Sequence, residues 1–235
     1  MDRTYDLGGY RTLSDIVWGS VIRKKITITY GQRLGLTGRL RAKYDYSGLD
    51  GALNIQAKPY GASRWRAYDR VASGGGFKVS PARTTTYRSV FGGSNRYRAS
   101  EPKNLLVLVK SAVKAGLVDP TVTKGHTFTA AGRILPQRSG TVLLQRYLHK
   151  KWTTIKEGRA GSEGRYRLSL TARATGTSYW RVVATNGGGN LGNHSNQMKL
   201  SVSAPPSGGG GSGTTDPPPP PDDPPPPTEP PPPSH

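Results

Sequence analysis

Three places in this 235-residue chain interleave bases with aromatic rings: Arg64-Trp65-Arg66, Arg96-Tyr97-Arg98 and Lys150-Lys151-Trp152. Such mixtures can stack on a base or a sugar while a guanidinium holds phosphate. Trp65 and Trp152 recur at similar places in two halves of the chain, which predicts that both rings close the edge of a core. Arg88 and Arg181 also recur, beside Tyr87 and Trp180. They should stand on an outward face, their stems covering the sheet. Arg165 and Arg167 alternate with Tyr166 and Leu168, so they too should face solvent. The candidate contacts for a polyanion are therefore Arg64, Arg66, Arg88, Lys150, Lys151, Arg165, Arg167 and Arg181.

Other chemistry finds little footing. His126, His149, His194 and His235 have no second histidine at metal-ligand spacing. Two carboxylate pairs, Asp45 with Asp50 and Glu157 with Glu163, lie among Lys, Arg and Gly with nothing apolar to raise a pKa. Asp45–Gly51 lacks the regular oxygen spacing of a calcium loop. The glycine runs at 74–76 and 187–189 precede neither a helix nor a Lys-Ser/Thr pair, so they read as turns and not as phosphate loops. Asn193-His194-Ser195 has the form of a glycosylation sequon. The absence of cysteine excludes disulfides, thiolate metal sites and cysteine nucleophiles. No catalytic residue, metal or cofactor is assigned, and the expectation is a chain that is not an enzyme.

The elements that must position these side chains show themselves as an internal repeat. Gly31, Gly38 and Arg39 match Gly125, Gly132 and Arg133 at an offset of 94; Gly51, Leu53, Ile55 and Gln56 match Gly140, Val142, Leu144 and Gln145 at 89. Phe77 matches Tyr166 at 89, and Tyr87-Arg88 matches Trp180-Arg181 at 93. Drifting offsets are what loop insertions between fixed strands produce. Each copy reads as about seven short strands. In the second they fall near 113–118, 126–134, 141–147, 152–157, 165–171, 178–185 and 197–203. Met198, Leu200 and Val202 alternate with Lys199 and Ser201 in the period of a strand with one wet face. Packing two sheets face to face would hide Val142, Leu144, Tyr166, Leu168, Leu170, Trp180 and Val182 together. The fold class expected is all-β, two tandem immunoglobulin-like β-sandwiches with a disordered proline-rich tail.

Segment 1–13 is read as an N-terminal extension, 14–110 and 111–203 as the two sandwiches, and 204–235 as the tail. The link near Lys110–Ser111 is so short that it should restrict the angle between the sandwiches. In the tail, Ser207–Gly213 is a Gly/Ser linker and Asp216–Pro233 is proline with acidic spacers. A polyproline helix of that length would reach roughly 50 Å, and a spacer is favoured over a ligand for a proline-recognising domain because its flanks are acidic.

Formal net charge is +20; the tail holds no base and four acids, leaving 34 bases against 10 acids, or +24, on the rest. That field attracts polyanions of any kind: nucleic acid, anionic wall polymer or an acidic membrane face. No run of about 18 apolar residues is present to span a membrane, and Met1–Ser20 lacks the basic-then-apolar form of a secretory signal.

The second copy reads Thr121-Val-Thr-Lys-Gly-His-Thr-Phe-Thr129, then Gly140-Thr-Val-Leu-Leu-Gln-Arg-Tyr147, Lys150-Lys-Trp152, Gly164-Arg-Tyr166 and Trp180-Arg-Val-Val183. The first is similar through Leu36-Thr-Gly-Arg-Leu40, Gly75-Gly-Phe77 and Thr84-Thr-Thr-Tyr-Arg88. Over about 14–203 this resembles the bacterial Ig-like repeats of secreted and wall-associated actinobacterial proteins, with Gly74 standing where an acidic residue is usual. The resemblance implies an extracellular or wall-associated, non-catalytic module with no shared catalytic residues to transfer. Three roles follow as expectations. The chain is a spacer, adhesion or docking unit of a cell surface; or it binds an anionic wall polymer or nucleic acid; or it is the accessory region of an exported enzyme whose catalytic domain lies elsewhere, a catalytic domain or another protein then being its partner.

Overall fold

The computed structural model describes residues 10–206. The first nine residues, the Gly/Ser linker and the proline-rich tail lie outside the described residues. All regular elements among the described residues are strands.

The first sandwich contains β1 (Thr12–Trp18), β2 (Val21–Ile22), β3 (Lys25–Thr29), β4 (Leu34–Ala42), β5 (Ala52–Pro59), β6 (Arg66–Ala72), β7 (Gly76–Val79), β8 (Thr85–Val90), β9 (Glu101–Pro102) and β10 (Asn104–Lys110). One sheet runs β2-β1-β4-β7 with β9 beside β1; the other runs β3-β10-β8-β5-β6. The second contains β11 (Ala112–Leu117), β12 (Thr121–Thr123), β13 (Thr127–Leu135), β14 (Gly140–Leu148), β15 (Lys151–Ala160), β16 (Arg165–Thr171), β17 (Gly176–Ala184), β18 (Asn193–His194) and β19 (Met198–Ser203). Its sheets run β11-β13-β16 and β12-β19-β17-β14-β15, with β18 beside β17. In both, an early strand leaves the first sheet and pairs in parallel with the last strand of the second, β3 with β10 and β12 with β19. Every other long pairing is antiparallel. These are two tandem immunoglobulin-like sandwiches.

Alternation drives the collapse. Leu53, Ile55, Tyr87, Leu105, Val107 and Val109 point into the first core, and Val142, Leu144, Trp180, Val182 and Leu200 into the second. No residue belongs to both cores. Leu170, expected inside, is only partly buried.

The ladders also correct one correspondence. Phe77 lies opposite Leu36, whereas Tyr166 lies opposite Gly132. Leu36 corresponds to Ala130, so Phe77 corresponds to Leu168 and not to Tyr166. A slip of two residues keeps each side chain on its face, so the alternation pattern is blind to it. Tyr166 instead passes beneath Gly132, and its hydroxyl donates to the Lys114 carbonyl at 2.7 Å. A Cβ on Gly132 would come 2.6 Å from that hydroxyl and closer still to the Lys114 carbonyl.

The loop before β18 joins the sandwiches. Leu191 N–H donates to Val109 O and Ser111 N–H to Leu191 O, while Thr84 N–H donates to Gly189 O at 2.9 Å. Asn190 Nδ2 donates to Ala82 O at 3.0 Å, and Asn193 Nδ2 to Ser111 O at 2.9 Å. The glycine run at 187–189 is a turn, as its composition predicts, with a second duty. A Cβ at Gly187 would sit 2.7 Å from the Arg138 guanidinium, and one at Gly189 2.7 Å from the Tyr60 ring. The Asn193 of the sequon is thus committed to the joint.

Candidate polyanion interface

The ladder places the eight expected bases in three groups. Arg64, Arg66 and Arg88 lie on the β3-β10-β8-β5-β6 side of the first sandwich, around the β5–β6 hairpin. Lys150, Lys151 and Arg181 lie on the equivalent sheet of the second, Lys150 in the tip of the β14–β15 hairpin. Arg165 and Arg167 lie on β16, in the opposite sheet from Arg181. The eight therefore do not form one stripe.

On the first two sheets a triad repeats. Arg88 stacks its guanidinium 4.2 Å from the centre of the Trp65 ring and donates Nε–H to Gln56 Oε1 at 2.8 Å. Arg181 stacks 4.5 Å from Trp152 and donates to Gln145 Oε1 at 2.9 Å. Gln145 in turn donates to Thr154 Oγ1 at 3.1 Å. Lys58 adds its ammonium to Trp65 at 5.4 Å, and Tyr147 its ring to Trp152 at 5.2 Å. Trp65 and Trp152 do not close the cores, contrary to their sequence expectation. Both are half-buried on the outer face and serve as plates for arginine. The bulge explains it: each pairing slips by one residue at Ile55/Gln56 and at Leu144/Gln145, which shifts the facing of the partner strand near its hairpin. A guanidinium held by a ring and one amide presents its remaining N–H groups to solvent in a fixed orientation. Burial lowers the pKa of Arg181, which stays protonated in any ordinary buffer.

A further basic surface lies on the β11-β13-β16 sheet and the neighbouring edge of β15. Arg165 and Arg167 on β16, Arg133 on β13, Lys114 on β11 and Arg159 on β15 surround one shallow groove. Register brings them together, with Lys114 opposite Arg133 and Arg133 opposite Arg165. The single acid among them is Glu163, 3.1 Å from Arg165 and 4.0 Å from Arg133. The ion pairs are exposed and weak, so they organise the bases without cancelling them. Beneath, the buried Tyr166 ties β16 to β11 across β13, and burial pushes its hydroxyl pKa well up. Lys114, Arg133 and Arg159 were absent from the expected set because they lie far apart in sequence. The match of Arg133 to Arg39 was their only trace.

The first sandwich does not repeat this face. The ladder puts Asp15 where the second has Lys114. Asp15 is fully buried, paired with Arg41 and 3.7 Å from Lys103. Gly74 and Gly76 stand at the places of Arg165 and Arg167.

The carboxylate pairs belong to turns and rims. Asp45 Oδ1 accepts from Ser47 N–H at 3.0 Å and Ser47 Oγ–H at 2.8 Å, which hold its pKa below the usual value. Glu163 is the rim acid just described, and Glu157 is exposed. Among the described residues no three His, Asp or Glu side chains converge as metal ligands, and no helix is long and apolar enough to cross a membrane.

No protein-family profile matches the chain, and no curated protein sequence matches it. Solved structures with similar folds include the N-terminal four Ig domains of Dscam1 isoform 6.9, at 14% identity over 84% of this chain and 47% of that one, with a TM-score of 0.42. The D00-D0 domain of intimin matches at 12% identity over 80% and 99%, TM-score 0.32. The Yersinia pseudotuberculosis adhesin InvE matches at 10% identity over 80% and 58%, TM-score 0.32. The chain spans about half the length of the Dscam1 structure. These likenesses carry no argument about what the chain does; the sandwich class rests on its own strand order and register.

Proposed function

We propose that this chain is a non-catalytic docking and spacer module of a bacterial surface, and that it adheres to an anionic polymer through the outer face of β11, β13 and β16. The observation that carries this reading is the groove of Lys114, Arg133, Arg159, Arg165 and Arg167 with a single rim acid. A charge of +24 outside the tail gives long-range attraction, while the clustered guanidinium forks give the close contacts that a linear polyphosphate needs. The stacked Arg88 and Arg181 extend the positive field to the opposite sheets. The joint at Gly189 and Asn190 supports the spacer part of the role, because a module that carries its load at a distance needs a restrained link.

The test is retention of the full chain on purified Gram-positive cell walls, on walls stripped of anionic polymer, and on DNA, at several salt concentrations. Retention on intact walls at low salt, lost on stripping and on raising the salt, is the expected result. Retention on neither walls nor DNA at any salt overturns the reading, and tight retention on stripped walls moves recognition away from charge.

A further inference from the structure

The first sandwich carries a hairpin that the second lacks. Ile16 pairs with Gly38 as Ala115 pairs with Gly132. Thr27 pairs with Leu108 as Thr121 pairs with Ser201. Between these matched positions the chain uses residues 17–26 in the first sandwich and only 116–120 in the second. The added length holds Trp18-Gly19-Ser20-Val21-Ile22-Arg23-Lys24-Lys25. Trp18 pairs with Val21, and Val17 with Ile22, across a two-residue turn. Gly19 takes the positive φ, +60°, that so tight a turn favours. The root of the hairpin is fixed: Lys25 pairs with Leu106, and the Lys24 carbonyl accepts from Leu106 N–H at 2.9 Å.

Every residue from Trp18 to Lys25 is exposed. Trp18 keeps 46%, Val21 52% and Ile22 40% of its surface in solvent, and none of the three belongs to the core. Three bases follow at once. Arg23 holds its guanidinium carbon 5.6 Å from the Trp18 ring centre. Among the described residues Arg23, Lys24 and Lys25 make no ion pair, and no acid occurs in sequence between Asp15 and Asp45. Bases alone would suit any polyanion in water. The apolar tip gains nothing from such a partner. Three greasy side chains beside three bases match an apolar layer lying directly behind a sheet of anions, which is the arrangement of a lipid surface. A second copy fits poorly. β2 is an edge strand, but pairing two such edges would bring like charges together.

We propose that the first sandwich docks on an anionic lipid surface through this hairpin, with Trp18, Val21 and Ile22 entering the headgroup layer and Arg23, Lys24 and Lys25 meeting lipid phosphates. Insertion is shallow. The unpaired edge of β2 keeps its N–H and C=O groups in the wet headgroup region, where a tryptophan ring also sits best. The site shares no residue with the β11-β13-β16 groove and does not depend on it.

The probes are vesicles of equimolar phosphatidylcholine and phosphatidylglycerol, vesicles of phosphatidylcholine alone, and soluble linear polyphosphate. The full chain is followed by co-sedimentation and by quenching of tryptophan fluorescence with lipids brominated near the headgroup. The expected result is partition onto the anionic vesicles with quenching, and far weaker partition onto the neutral ones. Val21→Ser/Ile22→Ser removes half-exposed side chains outside the core, so the variant folds. Its partition should fall at least about tenfold, while its binding to polyphosphate stays that of the natural chain. Arg23→Gln/Lys24→Gln/Lys25→Gln should lose about a hundredfold on anionic vesicles, as three bases near such a surface imply. Trp18→Phe should keep most of the partition and lose the quenching, because Trp18 is then shown to be the inserted one of the four tryptophans. Arg165→Gln/Arg167→Gln should keep the quenching, which separates this site from the basic groove. The proposal is overturned if the chain does not partition onto anionic vesicles, if it partitions without quenching, if quenching survives Trp18→Phe, or if Val21→Ser/Ile22→Ser partitions as the natural chain does. An equal loss of lipid and polyphosphate binding in that last variant also overturns it, since the hairpin would then serve free phosphate.

Discussion

Gly189→Ala should loosen the joint between the sandwiches while leaving both folded. Gly189 has φ +81°, and its carbonyl accepts from Thr84 N–H across the joint. Alanine there bears the left-handed penalty of about 1–2 kcal/mol. Its Cβ would also lie 2.7 Å from Tyr60 Cδ1 and 2.9 Å from Tyr60 Cβ. The Tyr60 ring is exposed and can turn aside, but its Cβ is fixed by the strand end, where Tyr60 N–H donates to Thr84 O at 2.8 Å. The 187–190 loop must therefore withdraw. Withdrawal breaks the Thr84–Gly189 and Asn190–Ala82 hydrogen bonds, each worth about 0.5–1.5 kcal/mol. The joint weakens by about 2–5 kcal/mol in total, enough to populate open arrangements. Neither core includes Gly189, so the melting of the sandwiches themselves should change little. Gly176→Ala is the control: φ is +106°, yet an added Cβ meets nothing within 4 Å, so it carries backbone strain alone. Residual dipolar couplings measure the outcome. The natural chain and Gly176→Ala should give one alignment tensor for both sandwiches, and Gly189→Ala two of unequal magnitude. A common tensor in Gly189→Ala would refute the reasoning.

Four further outcomes follow. Leu144→Ala and Leu168→Ala remove side chains buried at 0% and 3% exposure and should each cost about 2–5 kcal/mol in chemical denaturation, with the loss confined to the second sandwich's transition. His149 and Lys150 form the two-residue β14–β15 hairpin tip with φ of 47° and 63°; replacing them with Asn-Gly should stabilise by about 1 kcal/mol, read as a raised melting temperature. Trp152→Ala removes the plate under Arg181 and should cost about 0.5–2 kcal/mol, whereas Trp152→Phe should recover part of it. Burial favours the neutral phenol of Tyr87 and Tyr166 in the folded chain and raises both pKa values. Stability from these two groups is therefore intact below the unfolded tyrosine value of about 10 and lost progressively above it. Alkaline spectrophotometric titration should show them ionising only with unfolding, and Tyr166→Phe should reduce the steepness of stability loss above pH 10.

Much of this fold was legible because alternation is a local signal. Met198, Leu200 and Val202, or Tyr166 and Leu168, declare a buried face with no knowledge of their partners, and the second sandwich's long strands lie within two or three residues of their expected bounds. What depended on pairing was not legible. The Phe77–Tyr166 correspondence slipped by two residues, a shift that leaves period-2 facing unchanged. Trp65 and Trp152 were assigned inward because large rings usually are, while the bulges turned them outward beneath Arg88 and Arg181. The basic groove draws on β11, β13, β15 and β16, spanning Lys114 to Arg167, and only register reveals it.

The salt dependence of polymer binding tests the central claim most directly. The association constant of the full chain for a linear polyphosphate is measured across about 50–500 mM salt, for the natural chain, for Arg165→Gln/Arg167→Gln and for Arg64→Gln/Arg66→Gln, all exposed positions. If the β11-β13-β16 face makes the contact, the first variant loses about one to two units of slope in log K against log salt, and the second keeps the natural slope. Equal slopes in all three, or a loss confined to Arg64→Gln/Arg66→Gln, would contradict the account.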